Sequence, residues 1–280
     1  MIAALVLAGT LLAQYPPEAP PVQPTVPVPV LFLILDVPPA PLDLPSAAPG
    51  TPIRQLLLCP RNVFTSQADC ATQARNAQTA ANNVYAADPA NPTRLVIVPI
   101  YLAGYSTTND TSHELSQIQQ NTLPSVDVHG LRDTYTCDRV TLINHDGRLC
   151  GQAFMSASLY GKAWAFSVIN KDCWVSNSSL WHELGHNDGL CHDTDNSSGC
   201  TPAKPYGYGI CDTVAVVQSP MTYPSPCGKP RRIFSNKDNT WTYGHPYGDA
   251  THDEAAVQRW GMPIEAAFTA EPDPNRPTNH

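Results

Sequence analysis

The sequence predicts an α/β fold, in which helices and strands alternate along one layered domain. Apolar runs of strand length alternate with helix-forming stretches from residue 53 to residue 192, and such alternation is typical of helices packed on a sheet. Residues 193–215 are instead rich in Asp, Ser, Gly, Pro and Cys, which favours an irregular segment after the last predicted helix. The length of 280 residues allows one large domain or two small ones.

The first half of the predicted domain contains two strands around one long helix. Residues 56–58 are three leucines and predict the first strand. Residues 67–86 are rich in Ala, Gln and Asn and lack both glycine and proline, which favours a helix. Residues 88–92 break that helix with two prolines. Residues 94–102 then predict a buried strand.

The second half adds a helix and two strands before a final helix. Residues 112–120 predict a helix that Ser112 could cap. The apolar runs at residues 138–143 and 163–169 predict two further strands. The Asn-Ser-Ser sequence at residues 177–179 predicts the capped start of the final helix.

The final predicted helix contains two histidines and a glutamate in the pattern H-E-x-x-H. His182 and His186 are four residues apart, so on an α-helix their imidazoles project from one face and both can reach one metal ion. Glu183 lies about 100° further round the helix, where it can face a metal-bound water without being a ligand. A pattern this short also occurs by chance on a solvated helix face, so the residues that follow it decide between the two interpretations.

Gly189 and His192 extend the pattern to H-E-x-x-H-x-x-G-x-x-H-D. His192 would lie on the wrong side of a continuing helix, but Gly189 can adopt the left-handed conformation that ends a helix and turns the chain back. Three histidines with one open coordination position are typical of a catalytic zinc site. The sequence therefore predicts one catalytic Zn²⁺ ion with His182, His186 and His192 as ligands. Glu183 would act as general base toward a zinc-activated water that hydrolyses a peptide bond.

Charge and cysteine content narrow the class of function. The net charge of −8 and the low charged fraction of 14% argue against nucleic-acid binding. Nine cysteines occur without a C-x-x-C pair, which indicates disulfides in a secreted protein. Because nine is odd, at least one thiol is free or pairs between chains. We expect no membrane span, since the apolar runs are too short to cross a bilayer, and we expect a monomer.

The N-terminal region differs in composition from the rest of the chain. Residues 1–13 are small and apolar and resemble part of a signal peptide. The positively charged n-region is missing, since the first basic residue is Arg54, so either the true start lies upstream or the export signal is atypical; an ordinary disordered terminus is the alternative. Residues 14–52 are Pro-rich and predict a linker or a short pro-segment, with an apolar run at residues 30–35. We therefore place the catalytic domain at residues 53–270 and a polar tail at residues 271–280.

The extended histidine pattern, followed by a methionine, resembles the metzincin zinc metallopeptidases. Met221 matches the methionine that forms a tight turn beneath the zinc histidines of that clan. Asp193, directly after the third histidine, is similar to the reprolysin-like, or adamalysin-type, branch. Further segments resemble the secreted reprolysin-like peptidases, a group that includes the peptidyl-Asp metalloendopeptidases: residues 138–143, 150–153, 165–169 and 233–236.

The resemblance implies a metzincin fold in two parts. A mixed, mostly parallel sheet with helices would carry the zinc helix, and a small irregular C-terminal subdomain would carry Met221. A protein or peptide substrate would lie extended between them and pair with an edge strand. Asp193 would have a structural role that steadies the ligand turn. The resemblance also implies the disulfide Cys150–Cys173, because both cysteines flank matching segments, and it leaves the other pairs open.

Three residues after Met221 are candidate substrate contacts. In astacin- and serralysin-type relatives a tyrosine two residues beyond the methionine can touch the zinc or the oxyanion, so Tyr223 could stabilise the transition state; a packed turn tyrosine is the alternative. Arg231 and Arg232 lie where the clan places the wall of the pocket for the residue after the cut. They could favour an acidic substrate side chain, or they could form a solvated basic cluster.

Two other functions fit parts of the pattern. A catalytically silent binding protein on the same scaffold would keep a structural zinc, but such relatives usually lose the glutamate or a ligand, and here all four residues are present. A zinc hydrolase that acts on a non-peptide bond is the other possibility. A secreted zinc endopeptidase is the main prediction.

Overall fold

The computed structural model describes residues 48–196, 199–212, 217–222, 233–240 and 246–270. Several predicted features lie outside the described residues: the signal-like segment at residues 1–13, the Pro-rich segment up to residue 47, the tail at residues 271–280, Tyr223, Arg231 and Arg232.

Strands and helices alternate in the first part of the described chain, as the sequence predicted. The strands are β1 (Ile53–Pro60), β2 (Leu95–Leu102), β3 (Arg139–Asn144), β4 (Gly151–Ala153), β5 (Phe166–Asn170), β6 (Cys211–Asp212), β7 (Val217–Gln218), β8 (Asn236–Thr240) and β9 (Pro246–Tyr247). The α-helices are α1 (Gln67–Tyr85), α2 (Thr111–Gln119), α3 (Val128–Thr134), α4 (Ala157–Tyr160), α5 (Ser179–Asp188) and α6 (Glu254–Glu265). Short 3₁₀ turns occupy Lys162–Trp164 and Phe268–Ala270.

Three local predictions were wrong. Asp110, and not Ser112, caps α2, because the Asp110 side chain accepts a backbone hydrogen bond from the first turn. Ser178 stands at the start of α5 in a left-handed conformation and makes no capping hydrogen bond through its side chain. The strand expected at residues 163–169 begins only at Phe166, since a 3₁₀ turn precedes it. Helices α3, α4 and α6 and strands β4 and β6–β9 were not predicted.

Five strands form one mixed sheet in the order β2–β1–β3–β5–β4. The first four are parallel, and β4 is antiparallel to β5. Leu56 of β1 lies beside Val98 of β2 on one side and beside Val140 of β3 on the other. This confirms the predicted mixed, mostly parallel sheet. Strand β4 ends the sheet, and no described strand pairs with its outer edge.

Helices cover both faces of this sheet, because successive residues of a strand point to opposite sides. Leu57 and Cys59 of β1 belong to the core that α1, α5 and α6 share. Leu56 and Leu58 belong to the core beneath α2 and α3. The result is a three-layer arrangement, with α5 held against one face of the sheet.

Amide side chains of α1 cap the outer edge of β2. Asn82 pairs with both backbone polar groups of Leu95, at 2.8 and 2.9 Å. Gln78 accepts a hydrogen bond from the Ile97 amide at 2.7 Å, and Gln67 pairs with two further backbone groups at 2.8 and 3.0 Å. These bonds satisfy an edge that would otherwise be open to pairing with another chain. At the opposite edge of the sheet, no described strand pairs with β4.

A buried ion group joins β3, α5 and α6. The guanidinium of Arg139 contacts the carboxylate of Asp188, and its Nε lies 2.5 Å from Oε2 of Glu265. Gln258 donates a hydrogen bond of 2.9 Å to the other oxygen of Asp188. All three charged side chains are fully buried, so this group fixes the last turn of α5 between the sheet and α6.

Disulfides join several of these elements. The pairs with both cysteines in the described residues are Cys59–Cys70, Cys150–Cys173 and Cys191–Cys200. The second pair confirms the one disulfide that the family resemblance implied. Cys211 is also disulfide-bonded, whereas Cys137 is a buried free thiol. Among the described helices, none combines the length and the apolar character needed to cross a bilayer.

Candidate metal centre

Helix α5 ends where the spacing of the histidines requires it to end. Gly189 has a φ of +101°, and its amide donates to the carbonyl of His186 at 3.0 Å. The amide of Leu190 donates to the carbonyl of Gly185 at 2.9 Å, so the last turn of the helix is satisfied by backbone bonds. A Cβ at position 189 would lie 2.4 Å from Cβ of Ala203. Glycine is therefore needed for conformation and for space.

The chain that leaves Gly189 brings a third imidazole back to the two on the helix. Nε2 of His192 lies 3.2 Å from Nε2 of His182 and 3.1 Å from Nε2 of His186. The three potential ligand atoms all lie within 4.8 Å of one another. Within the described ranges, no other group of three His, Cys, Asp or Glu side chains converges in this way. These three residues can hold a metal ion.

Backbone carbonyls fix the orientation of the two helical histidines. Nδ1 of His182 lies 2.7 Å from the carbonyl oxygen of Pro220, and Nδ1 of His186 lies 2.9 Å from that of Leu190. A carbonyl oxygen only accepts hydrogen bonds, so each Nδ1 carries the proton and donates it. The lone pair of each Nε2 is therefore free to bind a metal, an arrangement common for metal-bound histidines.

Burial keeps these imidazoles neutral. It lowers the pKa of His182 to about 4, an effect strengthened by His192 and opposed by the bond to Pro220. Burial also lowers the pKa of His186 well below its ordinary value and lowers the pKa of His192. The neutral form is the one that binds a metal, so the site is prepared for a cation at neutral pH.

Glu183 is held in a dry position at the start of strand β4. Its side chain is buried, and burial raises the pKa of its carboxyl to about 8. A Cβ added at Gly151 would lie only 2.5 Å from Oε1 of Glu183. The carboxyl group therefore occupies the space that a side chain at position 151 would fill, between α5 and the edge strand.

Met221 lies in a tight turn against α5. The turn closes with a 3.1 Å hydrogen bond from the Thr222 amide to the carbonyl of Ser219. The Met221 side chain is fully buried, and its sulfur would be 2.7 Å from a Cβ added at Gly185. Gly185 lies between the two histidines of the helix, so the missing side chain there lets the methionine pack close beneath them.

The turn that carries His192 is tied at two points. The disulfide Cys191–Cys200 closes a short loop that includes His192. The backbone of Cys191 also donates to the carbonyl of Gly207 at 2.8 Å and accepts from the amide of Gly209 at 3.1 Å. These contacts restrict the third imidazole to the neighbourhood of the other two.

Asp193 follows His192 and organises the next turn. Its Oδ1 accepts a hydrogen bond of 2.8 Å from the side chain of Asn196, and its carbonyl accepts one of 2.9 Å from the Asn196 amide. Its negative charge also opposes the fall in the pKa of His192. These contacts hold the turn that follows His192, and the structural role expected for Asp193 stays a prediction.

Sequence reasoning missed several residues that shape this centre. Gly151 makes room for Glu183, Gly185 makes room for Met221, and Pro220 orients His182. Gly185 did leave a signal, since glycine inside a helix is unfavourable and calls for a packing reason. Tyr223, Arg231 and Arg232 stay predictions, because they lie outside the described residues.

Residues 71–193 match the family model described as metallo-peptidase family M12B, reprolysin-like. Over this part of the sequence, which ends at Asp193, the chain is similar to the reprolysin-like metallopeptidases. No curated protein matches the chain.

Among the solved structures that are similar to this chain are the following two. One is described as the structure of a chaperone-substrate complex; it is 17% identical, with a TM-score of 0.60, and the match covers 78% of this chain and 35% of that chain. The other is metalloproteinase-II from Bacteroides fragilis; it is 17% identical, with a TM-score of 0.39, and the match covers 56% of this chain and 48% of that chain. The present chain thus spans less than half the length of each. The first likeness concerns the fold alone.

Proposed function

We propose that this chain is a secreted, zinc-dependent endopeptidase. The observation that carries the proposal is the convergence of the Nε2 atoms of His182, His186 and His192 beside a buried carboxyl group, Glu183. The family match supports the peptidase class. The three disulfides within the described residues are typical of oxidising compartments and support secretion.

The three histidines fit zinc as one catalytic ion. Zinc prefers nitrogen and sulfur ligands in a tetrahedral set, and catalytic sites leave one position open. Three neutral imidazoles match that requirement, since no fourth His, Cys, Asp or Glu of the described residues joins the group. A zinc ion bound there would supply Lewis acidity, which lowers the pKa of water and polarises a carbonyl group.

Glu183 would carry the proton during hydrolysis. As a carboxylate it would accept a proton from the attacking water, and it would then give that proton to the amine of the leaving peptide. Burial alone holds its pKa at about 8, a value that favours the protonated form at neutral pH. A cation bound by the neighbouring histidines would lower that pKa, so the ionised base would be favoured in the loaded site.

The outer edge of β4 would orient the substrate. Strand β4 begins at Gly151, against Glu183, and no described strand covers its outer edge. An extended peptide that adds to this edge would form backbone hydrogen bonds with it. Its scissile bond would then lie beside the three histidines. Protein or peptide chains are therefore the substrates that we propose.

The test compares Glu183→Gln with the wild type on a mixed peptide pool, with zinc content measured in parallel. We expect Glu183→Gln to keep zinc and to lose cleavage by several orders of magnitude. The matched control is Asp238→Asn, because the Asp238 carboxylate is largely exposed at strand β8, and it should cleave normally. A wild type that binds zinc but cleaves no peptide would instead favour the silent binding protein or a hydrolase of other bonds.

A further inference from the structure

Glu254, the first residue of α6, is a fully buried carboxyl group outside the centre described above. Its two oxygens accept hydrogen bonds from two separate segments of the chain. Oε1 accepts from the hydroxyl of Ser219 at 2.9 Å, and Oε2 accepts from the amide of Ser235 at 2.6 Å. The Glu254 amide also donates to the hydroxyl of Ser235 at 3.1 Å. This carboxyl group therefore has a specific task in the fold.

Ser219 is the residue that starts the methionine turn. Its amide donates to the carbonyl of Ile210 at 2.9 Å, and its hydroxyl accepts from the amide of Ile210 at 3.1 Å. Thr222, at the other end of the turn, donates through its hydroxyl to the same carbonyl at 2.9 Å. Both ends of the turn, Ser219 and Thr222, are therefore hydrogen-bonded to the backbone of Ile210. Glu254 adds a hydrogen bond to the hydroxyl of Ser219.

The carbonyl of the next residue, Pro220, accepts the hydrogen bond from Nδ1 of His182. A continuous path of contacts therefore runs from Glu254 through Ser219 and Pro220 to one of the three imidazoles. A shift of the Ser219 backbone would move the Pro220 carbonyl, and the imidazole would lose the partner that sets its ring orientation. Groups that orient metal-bound histidines affect metal affinity strongly, by about 10–100-fold when they are changed.

We infer that Glu254 is a positioning residue for the metal centre, which acts by fixing the Ser219–Pro220 backbone and thereby the ring of His182. The inference rests on the proposed function insofar as it assumes that the three histidines bind zinc. Glu254 is distant from the histidines in sequence, because it lies in α6, which follows the methionine turn along the chain.

The experiment measures metal binding by the full-length chain. Zinc affinity is obtained by competition with a chromophoric chelator, and the visible absorption of the cobalt(II)-loaded protein reports the geometry of the ligands. The variants are Glu254→Gln, Ser219→Ala and the double variant. The control is Asp253→Ala, because Asp253 caps the same end of α6 through the Ala256 amide and its loss destabilises the helix without touching the turn.

We expect Glu254→Gln and Ser219→Ala each to weaken zinc affinity by about tenfold or more and to alter the cobalt spectrum. The double variant should lose no more zinc affinity than the single variant with the larger loss, because both changes break the same path of contacts. Asp253→Ala should keep the wild-type affinity and spectrum. If Glu254→Gln or Ser219→Ala folds and binds zinc and cobalt as the wild type does, the inference is overturned while the proposed function stands. A wild type that binds no zinc would overturn both.

Discussion

Replacing Gly151 with alanine would place a methyl group against the carboxyl group of Glu183. The added Cβ would lie 2.5 Å from Oε1, 2.7 Å from Cγ and 2.8 Å from Cδ of Glu183, whereas ordinary contacts begin at 3.4 Å. The Glu183 side chain would therefore have to move by about 1 Å. A displacement of this size at a catalytic group can cost on the order of 100-fold in rate, which corresponds to about 2.7 kcal/mol of activation free energy.

The assay is kcat/KM on a peptide that the wild type cleaves, with zinc content measured for each protein. Zinc binding should be unchanged in Gly151→Ala, because the three atoms nearest to the added Cβ all belong to Glu183 and none belongs to a histidine. Gly147→Ala is the control, since no atom lies within 4 Å of a Cβ added there. If Gly151→Ala cleaves as fast as Gly147→Ala, the proposed role of Glu183 in this geometry is refuted.

Three further predictions concern the disulfide beside His192, the buried ion group and the buried carboxyl group of Asp138. Cys200→Ser should weaken zinc affinity by roughly tenfold, because the turn that carries His192 would have to be ordered on binding. Competition with a chelator measures this affinity, and an unchanged value would contradict the role of the disulfide. Arg139→Met would leave two buried carboxyl groups without their partner and should lower the free energy of unfolding by about 3–5 kcal/mol, with a loss below about 1 kcal/mol in urea titrations counting against this reasoning. Burial raises the pKa of Asp138 to about 6, so the folded state binds this proton more tightly than the unfolded state does. Stability should therefore fall as pH rises from about 4 through 6, by up to about 3 kcal/mol relative to Asp138→Asn, and parallel stability curves for the two proteins would exclude the effect.

The helix that carries two of the histidines could be predicted because its information is local. The spacing of His182 and His186 requires a helix if both bind one ion, and Gly189 marks its end by its conformational freedom. Helix α1 was equally accessible, since residues 67–86 are good helix formers without a breaker, and the structure has a helix at Gln67–Tyr85. Local rules of this kind need no knowledge of the rest of the chain.

The short elements could not be predicted, because contacts with distant residues create them. Strand β4 has only three residues and exists because Gly151 pairs with Ile169 of β5. Three residues show no useful alternation of apolar and polar side chains. The bonds from the amide side chains of α1 to the edge of β2 could not be predicted either. The composition of residues 67–86 favours a helix, but these bonds form only because the helix and the strand lie side by side.

The centre itself divides in the same way between local and distant causes. The motif specifies which atoms can bind a metal, but the proton position on His182 depends on the carbonyl of Pro220, 38 residues away. The position of Glu183 depends on the absence of a side chain at Gly151. A backbone carbonyl and a missing side chain leave little trace in a sequence, and a lone buried carboxyl group such as Glu254 leaves none that separates it from a surface residue. A related chain could therefore keep every residue of the motif and still lose the geometry through one distant change. An intact motif is compatible with both an active and a catalytically silent centre, and the surrounding residues decide which of the two is formed. For this reason zinc binding and cleavage have to be measured separately.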